Sequence, residues 1–195
     1  VDLLVMGLNE EGSYLNNRFD LQLNGQGHFL LTNDGSEIFL QSRSSHLIFK
    51  CSVIGELSYA KYDTINTNWL PSGITYHSDS DSLLTLYRNQ NKNSQYRLRL
   101  ISKDVSGSSH KDILFEMSDI DTTYYGIYGL SEHNNSLFML AVKDGEDALI
   151  TMDYNTLEIQ STEMVGDSTV VGIAVLNDAL YLSFRDRRIE KFKDL

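Results

Sequence analysis

Hydrophobic and polar positions alternate in short blocks along the whole chain. Runs of about four to seven residues rich in Leu, Ile, Val, Phe, Tyr and Thr are separated by clusters of Asn, Asp, Gly and Ser. Residues 96–100 (YRLRL) alternate with period two, as a strand with one covered face does. Apolar residues nowhere keep a helical spacing with a cap in front over three turns. The pattern therefore predicts an all-β protein.

The predicted strands recur in longer units. Each unit opens at a glycine and continues with a short turn, an apolar run and a further strand. The leading glycines, Gly27, Gly73, Gly126 and Gly172, lie 46, 53 and 46 residues apart. Residues 2–6 and 19–23 form two strands of an earlier unit in this interpretation. The predicted units span approximately residues 1–26, 27–72, 73–125, 126–171 and 172–195.

A period of ~40–50 residues with three or four strands per unit is typical of β-propeller blades. Strands in the middle of a blade are covered on both faces, which explains continuous apolar runs such as residues 83–87 and 137–140. A β-sandwich is the alternative, because it also has turns every ~8–12 residues, but it needs no such recurrence. We therefore predict an all-β propeller of four to five blades, either a single domain or part of a larger propeller.

The units resemble degenerate blades of the WD40-like propeller superfamily, and the resemblance covers most of the chain. No Trp-Asp dipeptide closes a unit, since the single tryptophan, Trp69, is followed by Leu70. The resemblance implies a scaffold that binds other proteins. It assigns no residue a function.

Charge and cysteine content restrict the partners and the compartment. The chain has 16 Lys and Arg against 27 Asp and Glu, for a formal net charge of -11, and an acidic surface repels nucleic-acid phosphates and anionic membranes. The single Cys51 cannot form an internal disulfide, and the N-terminus lacks a signal-peptide pattern. We expect an intracellular protein of the cytoplasm or nucleus, with other proteins as partners.

Candidate chemistry is sparse. The five histidines are scattered, and none has the spacing to Cys, Asp or Glu that a closed zinc site requires. Residues 77–81 (HSDSD) are the best candidate for a hard cation, but they lack the glycine and the later acidic ligand of a calcium loop. Cys51 lies in a predicted apolar strand, where its pKa would rise. We therefore predict that it is a buried thiol of the core and not a nucleophile. We predict no catalytic, cofactor-binding or metal-binding residues.

The last predicted hairpin carries the main basic cluster, Arg185, Arg187 and Arg188. Arginines at a hairpin tip can form paired hydrogen bonds with carboxylates or phosphates, so they are candidate partner-binding residues. The alternative is a charged edge that discourages aggregation between strands.

Aromatic residues give the other partner-binding candidates, Trp69, Tyr124 and Tyr125, because aromatic anchors dominate binding hot spots. Packing between blades is their alternative role.

The predicted function is a non-enzymatic scaffold for protein–protein interaction, within a larger assembly. One alternative is a propeller enzyme of the glycosidase or lyase type, with polar residues at the starts of the inner strands. Those positions are mostly apolar: His28, Ile74, Ile127 and Ile173. The other alternative is nucleic-acid binding through the basic hairpin.

Overall fold

The structure is a computed structural model, and it describes residues 2–8, 14–22, 29–34, 36–42, 47–52, 57–62, 65, 68–103, 109–117, 126–166, 170–176, 178–186 and 188–195. Within these ranges the regular structure is β-strand, apart from one 3-10 turn at Ser78–Ser80. The prediction of an all-β protein is confirmed.

Seventeen described strands form five antiparallel sheets that follow one another along the chain. The first sheet contains β1 (Asp2–Leu8) and β2 (Tyr14–Gln22). The second contains β3 (Phe29–Asn33), β4 (Glu37–Ser42), β5 (Leu47–Ser52) and β6 (Leu57–Tyr62). The third contains β7 (Trp69–His77), β8 (Ser82–Asn89), β9 (Gln95–Ser102) and β10 (Ser109–Glu116). The fourth contains β11 (Ile127–His133), β12 (Ser136–Lys143), β13 (Glu146–Asp153) and β14 (Ile159–Gly166). The fifth contains β15 (Val170–Leu176), β16 (Ala179–Phe184) and β17 (Ile189–Asp194).

Neighbours in sequence are neighbours in each sheet, so every sheet is a simple meander. Tight turns at polar residues make this possible. Asn134 and Asn135 join β11 to β12 with φ values of 47° and 61°, and Asp144 and Gly145 join β12 to β13 at 53° and 84°. Positive φ at both central residues matches the twist of antiparallel strands and favours Asn, Asp and Gly. The polar clusters of the sequence are therefore the turns.

The second to fifth sheets contact one another in succession through their first strands, β3 with β7, β7 with β11 and β11 with β15. Glycine permits this approach at two junctions. A Cβ atom on Gly73 would lie 2.5 Å from Cβ of Leu130, and one on Gly129 would lie 3.1 Å from Cγ2 of Ile173. The first distance is too short for any side chain. Gly73 therefore allows the third and fourth sheets to come this close.

The repeat has a different register from the one read in the sequence. Gly73, Gly129 and Gly172 each follow a bulge in the first strand of a sheet, and so occupy equivalent positions. Gly126, the predicted counterpart of Gly73, instead precedes β11 with a φ of +60°. Strands β7 and β15 begin before the glycines that open the predicted units 73–125 and 172–195.

Apolar side chains of the middle strands fill the space between sheets. The third and fourth sheets bury Leu84, Leu86 and Met139 together, and the fourth and fifth bury Leu140 and Leu180. All five are 0% exposed. Each such side chain stabilises the fold by about 2 kcal/mol relative to an exposed one. The continuous apolar runs of the sequence are therefore strands covered on both faces.

Candidate functional site

Ionisable side chains gather where the first strand of a sheet turns into the second. We call this the first-turn edge. Successive side chains of a strand point to opposite faces of its sheet. Residues next to these turns can therefore contact either the preceding sheet or the following one. The residues concerned are Asp34, Tyr76, His77, Asp81, Lys103, Glu132, His133 and Asp178.

Lys103 joins the second sheet to the third. Its Nζ lies 2.8 Å from Oδ2 of Asp34, in the turn after β3, and 2.7 Å from Oδ1 of Asp81, in the turn after β7. The Tyr76 hydroxyl donates a hydrogen bond of 2.6 Å to the same oxygen of Asp81. Lys103 Nζ also lies 5.6 Å from the centre of the Tyr76 ring, within the range of a cation–π contact. One ammonium group thus connects two turns.

Asp34 is held as a carboxylate by its surroundings. Its side chain is 2% exposed. Its Oδ1 accepts hydrogen bonds from the backbone N–H of Ser36 at 2.9 Å, from that of Glu37 at 2.8 Å and from the Ser36 hydroxyl at 2.8 Å. Burial alone would raise the pKa of Asp34, but the hydrogen bonds from Lys103 and the turn hold it far below its usual range. The hydrogen bonds to Asp34 and Asp81 raise the pKa of Lys103.

His77 and Tyr154 meet between the third and fourth sheets. The buried His77 ring lies 5.0 Å from the Tyr154 ring, centre to centre, and its Nδ1 lies 2.9 Å from the Ser80 hydroxyl. Lys111 Nζ also lies 3.9 Å from the centre of the Tyr154 ring. The tyrosine ring therefore contacts an imidazole and an ammonium group.

Glu132 lies on β11 and faces this aromatic group. Burial raises the pKa of Glu132, and the neighbouring His77 opposes the rise. Burial also raises the pKa of Tyr154, and the charge of Glu132 adds to that effect. A half-buried carboxyl with a raised pKa beside an imidazole is the arrangement here that general acid–base chemistry could use.

Polar contacts join the fourth and fifth sheets, among them an ion pair between Lys193 of β17 and Glu163 of β14. At the first-turn edge, His133 Nε2 lies 3.0 Å from Oδ1 of Asp178. Near the start of β15, Asp147 accepts a hydrogen bond of 2.8 Å from the Tyr128 hydroxyl and another of 2.8 Å from the backbone N–H of Val170. Burial and the bond to Asp147 raise the pKa of Tyr128.

A search of the described residues finds no group of three His, Cys, Asp or Glu side chains arranged to hold a metal ion. Residues 77–81, the best metal candidate of the sequence, form the end of β7, the 3-10 turn and the lysine-bound Asp81. Among all the residues that the structure describes, no helix is long and apolar enough to cross a membrane.

Comparison with known proteins identifies the architecture. No protein-family model matches the chain, and no curated protein matches it in sequence. Solved structures do match. Glutaminyl cyclase from Myxococcus xanthus has a TM-score of 0.57 at 11% identity, over 90% of this chain and 79% of that one. A chain of a nidogen/laminin complex has a TM-score of 0.57 at 12% identity, over 87% and 60%. Catalytically inactive virginiamycin B lyase from Staphylococcus aureus, with quinupristin, has a TM-score of 0.53 at 12% identity, over 96% and 58%. All three are propeller-like proteins.

The chain has a β-propeller fold. Its sheets are the blades, and the first strands are the inner strands that contact one another. Identities of 11–12% show the fold alone.

Trp69 is buried within a blade of this propeller. It begins β7, is 9% exposed, and packs with Ile65 and Tyr87. The guanidinium carbon of Arg97 lies 5.5 Å from the centre of its ring. The tryptophan thus contributes to the core of the third sheet, and its role as a partner-binding residue stays a prediction.

Arg185 and Arg188 lie on the last hairpin, as expected. Arg188 Nε lies 2.6 Å from Oδ2 of Asp186, its NH1 is bonded to Glu190, and its guanidinium carbon lies 4.6 Å from the centre of the Phe184 ring. Arg185 is an exposed turn residue.

Trp69 belongs to the third sheet and Arg188 precedes the last strand of the fifth, so they lie in different blades. Arg187, Tyr124 and Tyr125 lie outside the described residues.

Apart from residues 77–81, no residue of the first-turn edge is predicted from the sequence, because the functional residues of a propeller enzyme are expected at the starts of the inner strands. The ionisable residues lie at the opposite ends. A signal was present: His77 pairs with Ser82 across the first turn of the third sheet, and His133 pairs with Ser136 across that of the fourth. A histidine thus ends the first strand in two successive sheets, and this recurrence marks His77 and His133 as equivalent positions of the repeat.

Proposed function

We propose that this propeller is a non-enzymatic scaffold that binds other proteins, as a subunit or domain of a larger assembly. The first-turn edge carries the proposal. Lys103 binds Asp34 across the junction between the second and third blades, and His133 binds Asp178 across the junction between the fourth and fifth. Groups bonded to each other in this way hold neighbouring blades in register. They support a rigid framework whose exposed loops are available to partners.

The last hairpin is the partner-binding element in this proposal. Arg185 is exposed in its turn, next to the bonded pair Asp186 and Arg188. A guanidinium group on a rigid hairpin loses little entropy when it binds a carboxylate of a partner. We assign the chain to the WD40-like propellers, in an intracellular compartment. The meander of four strands in three of its sheets and the lone cysteine support these two assignments.

Quantitative co-purification tests the proposal. The tagged chain is cross-linked and purified from cells that express it, and each protein that accompanies it is measured against Arg185→Glu. Lys92→Glu is the matched control, because Lys92 is an exposed cation on the loop between β8 and β9. We expect a stoichiometric partner that is retained by the control and lost at least tenfold with Arg185→Glu. Equal recovery with both variants would exclude the hairpin as the binding element.

A propeller enzyme is the second candidate, and Glu132 is the observation that favours it. Its raised pKa and its closeness to His77 suit a proton donor. Activity assays with glycosidase and lyase substrates distinguish the scaffold proposal from the enzymatic one. Turnover by the isolated chain that disappears in Glu132→Gln, while the variant keeps its fold by circular dichroism, would replace the scaffold proposal with the enzymatic one.

Nucleic-acid binding has less support, because Arg188, Lys191 and Lys193 of the hairpin are bonded to carboxylates. Lys193 binds Glu163, and Lys191 binds Asp194. Binding to nucleic acid rests on cations that neutralise phosphates and release counterions, so neutralised lysines contribute little.

A further inference from the structure

Ser80 and His77 contact each other in the turn that follows β7. His77 ends the strand, and Ser80 ends the 3-10 turn Ser78–Ser80. The hydroxyl oxygen of Ser80 lies 2.9 Å from Nδ1 of His77. At this distance an imidazole can take the proton of a hydroxyl group while the hydroxyl oxygen attacks an electrophile. The first-turn edge therefore holds a nucleophile together with a base.

The two partners differ in exposure, as a reactive pair requires. Ser80 is exposed, so a reagent in solution can reach its hydroxyl group. His77 is buried, and the centre of its ring lies 5.0 Å from the centre of the Tyr154 ring. Packing of this kind fixes the imidazole next to the hydroxyl group, and a base that is already in position loses little entropy during the reaction.

Glu132 supplies a negative charge from the neighbouring blade. It lies on β11 of the fourth sheet, and its half-buried carboxylate interacts electrostatically with His77. When the proton of Ser80 moves to Nδ1, the imidazole becomes a cation, and a carboxylate nearby stabilises that cation. A hydroxyl group, an imidazole and a carboxylate are the three groups that activate a serine. The packing of the third blade on the fourth brings them together.

The charges around Ser80 determine which reagents approach it. Asp79 and Asp81 are its neighbours in the sequence. Lys103 binds Asp81 but also binds Asp34, so one ammonium group is shared between two carboxylates and the turn keeps a negative charge. A negative surface repels anionic donors such as phosphates. An uncharged ester meets no such repulsion.

We propose that Ser80 is a nucleophilic modification site that accepts an acyl group from an uncharged ester. The Ser80 oxygen forms a bond to the carbonyl carbon of the ester, and its proton passes to Nδ1 of His77. The bond between that carbon and the alcohol oxygen then breaks, and the alcohol leaves with the proton. The product is an O-acylserine, and the ester is the only reagent consumed.

This inference goes beyond the proposed scaffold function and does not depend on it. A single acyl transfer modifies the chain once and requires no turnover, so a scaffold can carry such a site. The modification would add an acyl group to an exposed turn at the first-turn edge, away from the last hairpin, since Ser80 belongs to the third sheet and Arg185 to the fifth.

Reaction of the full chain with p-nitrophenyl acetate tests the proposal. Peptide mass spectrometry measures how fast each serine gains an acetyl group. Ser78 is the internal control, because it is an exposed serine at the other end of the same turn. We expect Ser80 to be acetylated at least tenfold faster than Ser78, since a positioned base typically accelerates such a step by that factor or more. Ser78→Ala should leave the rate at Ser80 unchanged.

Two further variants test the roles of the base and the carboxylate. His77→Gln keeps a side chain that can hydrogen-bond to Ser80 but cannot take its proton, so acetylation of Ser80 should slow at least tenfold. Glu132→Gln removes the negative charge and should slow the reaction severalfold. Circular dichroism shows that each variant is folded before its rate is compared.

Three outcomes would overturn the proposal. Ser80 and Ser78 could be acetylated at the same rate, which is the result expected if the contact with His77 only shapes the turn. Folded His77→Gln could react at Ser80 as fast as the wild type. Acetyl phosphate, an anion that transfers the same acetyl group, could modify Ser80 as readily as p-nitrophenyl acetate, with each rate divided by that for free imidazole; the donor would then not be selected by charge.

Discussion

Lys103→Met tests whether the ion pairs at the first-turn edge hold neighbouring blades together. Methionine keeps the length of the aliphatic chain and removes the ammonium group. Asp34 then keeps its carboxylate in a site that is 2% exposed, without the cation 2.8 Å away. The bond between residues 69 positions apart in the chain, which joins the second sheet to the third, is lost.

The size of the loss follows from the environment of each partner. A hydrogen bond between charged groups contributes about 1.5–3 kcal/mol, and breaking a fully buried ion pair costs about 3–5 kcal/mol. Asp34 retains its hydrogen bonds from Ser36 and Glu37, which lowers the cost. Asp81 is 61% exposed, and an exposed ion pair adds little. We therefore expect Lys103→Met to reduce the free energy of unfolding by about 2–3 kcal/mol.

Urea denaturation at several pH values measures this effect. The pKa of Asp34 is lowered in the folded state from the ordinary 3.8, so its contribution to stability is present above pH 4 and is lost as the pH falls below it. Removing Lys103 brings this pKa back towards its ordinary value. The difference in stability between wild type and variant should therefore be full at pH 7 and shrink as the pH is lowered from about 5 towards 2.

Lys193→Met is the control for the loss of an ammonium group. Lys193 binds Glu163, but both side chains are well solvated, at 30% and 39% exposed, so this change should cost no more than about 0.5 kcal/mol. Equal losses for the two variants, or a loss for Lys103→Met that does not change with pH, would refute the argument that Lys103 ties two blades together.

Three further changes test other contacts by urea denaturation. Gly73→Ala should cost about 1–3 kcal/mol because its Cβ would overlap the Cβ of Leu130, and combining it with Leu130→Gly, which removes that atom, should cost clearly less than the sum of the two single changes; simple additivity would contradict the close approach. Glu132→Gln should gain stability relative to wild type between pH 4 and pH 7, because burial raises the pKa of Glu132 and makes its ionisation costly; a difference independent of pH would argue against burial. Tyr128→Phe should cost about 1–2 kcal/mol, since Asp147 loses a partly buried donor, and an unchanged midpoint would show that this bond is dispensable.

Local pattern was sufficient for the strands and turns. The run at residues 137–140 predicts a strand covered on both faces, and the side chains of Leu137 and Leu140 are fully buried. Asp144 and Gly145, which belong to one of the polar clusters between the apolar runs, form the turn between β12 and β13. These features depend on neighbours in the sequence, which a pattern can represent.

Contacts between blades could not be read in the same way. Asp34 and Lys103 carry no local signal for each other, because the packing of two sheets brings them together. The sequence repeat was placed on Gly126. In the structure, the bulge in β11 and the contact with Ile173 show that Gly129 is the residue equivalent to Gly73. Bulges shift the register by one residue, and the spacing of glycines does not show where they occur.

The central claim is that successive sheets pack as blades through their first strands. Nuclear Overhauser measurements on a sample labelled at Leu and Ile methyl groups test it most directly. The propeller predicts contacts from the Leu130 methyls to the backbone of Gly73, and from the Ile173 methyls to that of Gly129. Absence of both contacts, with contacts instead between the third and fifth sheets as in a two-layer sandwich, would contradict it.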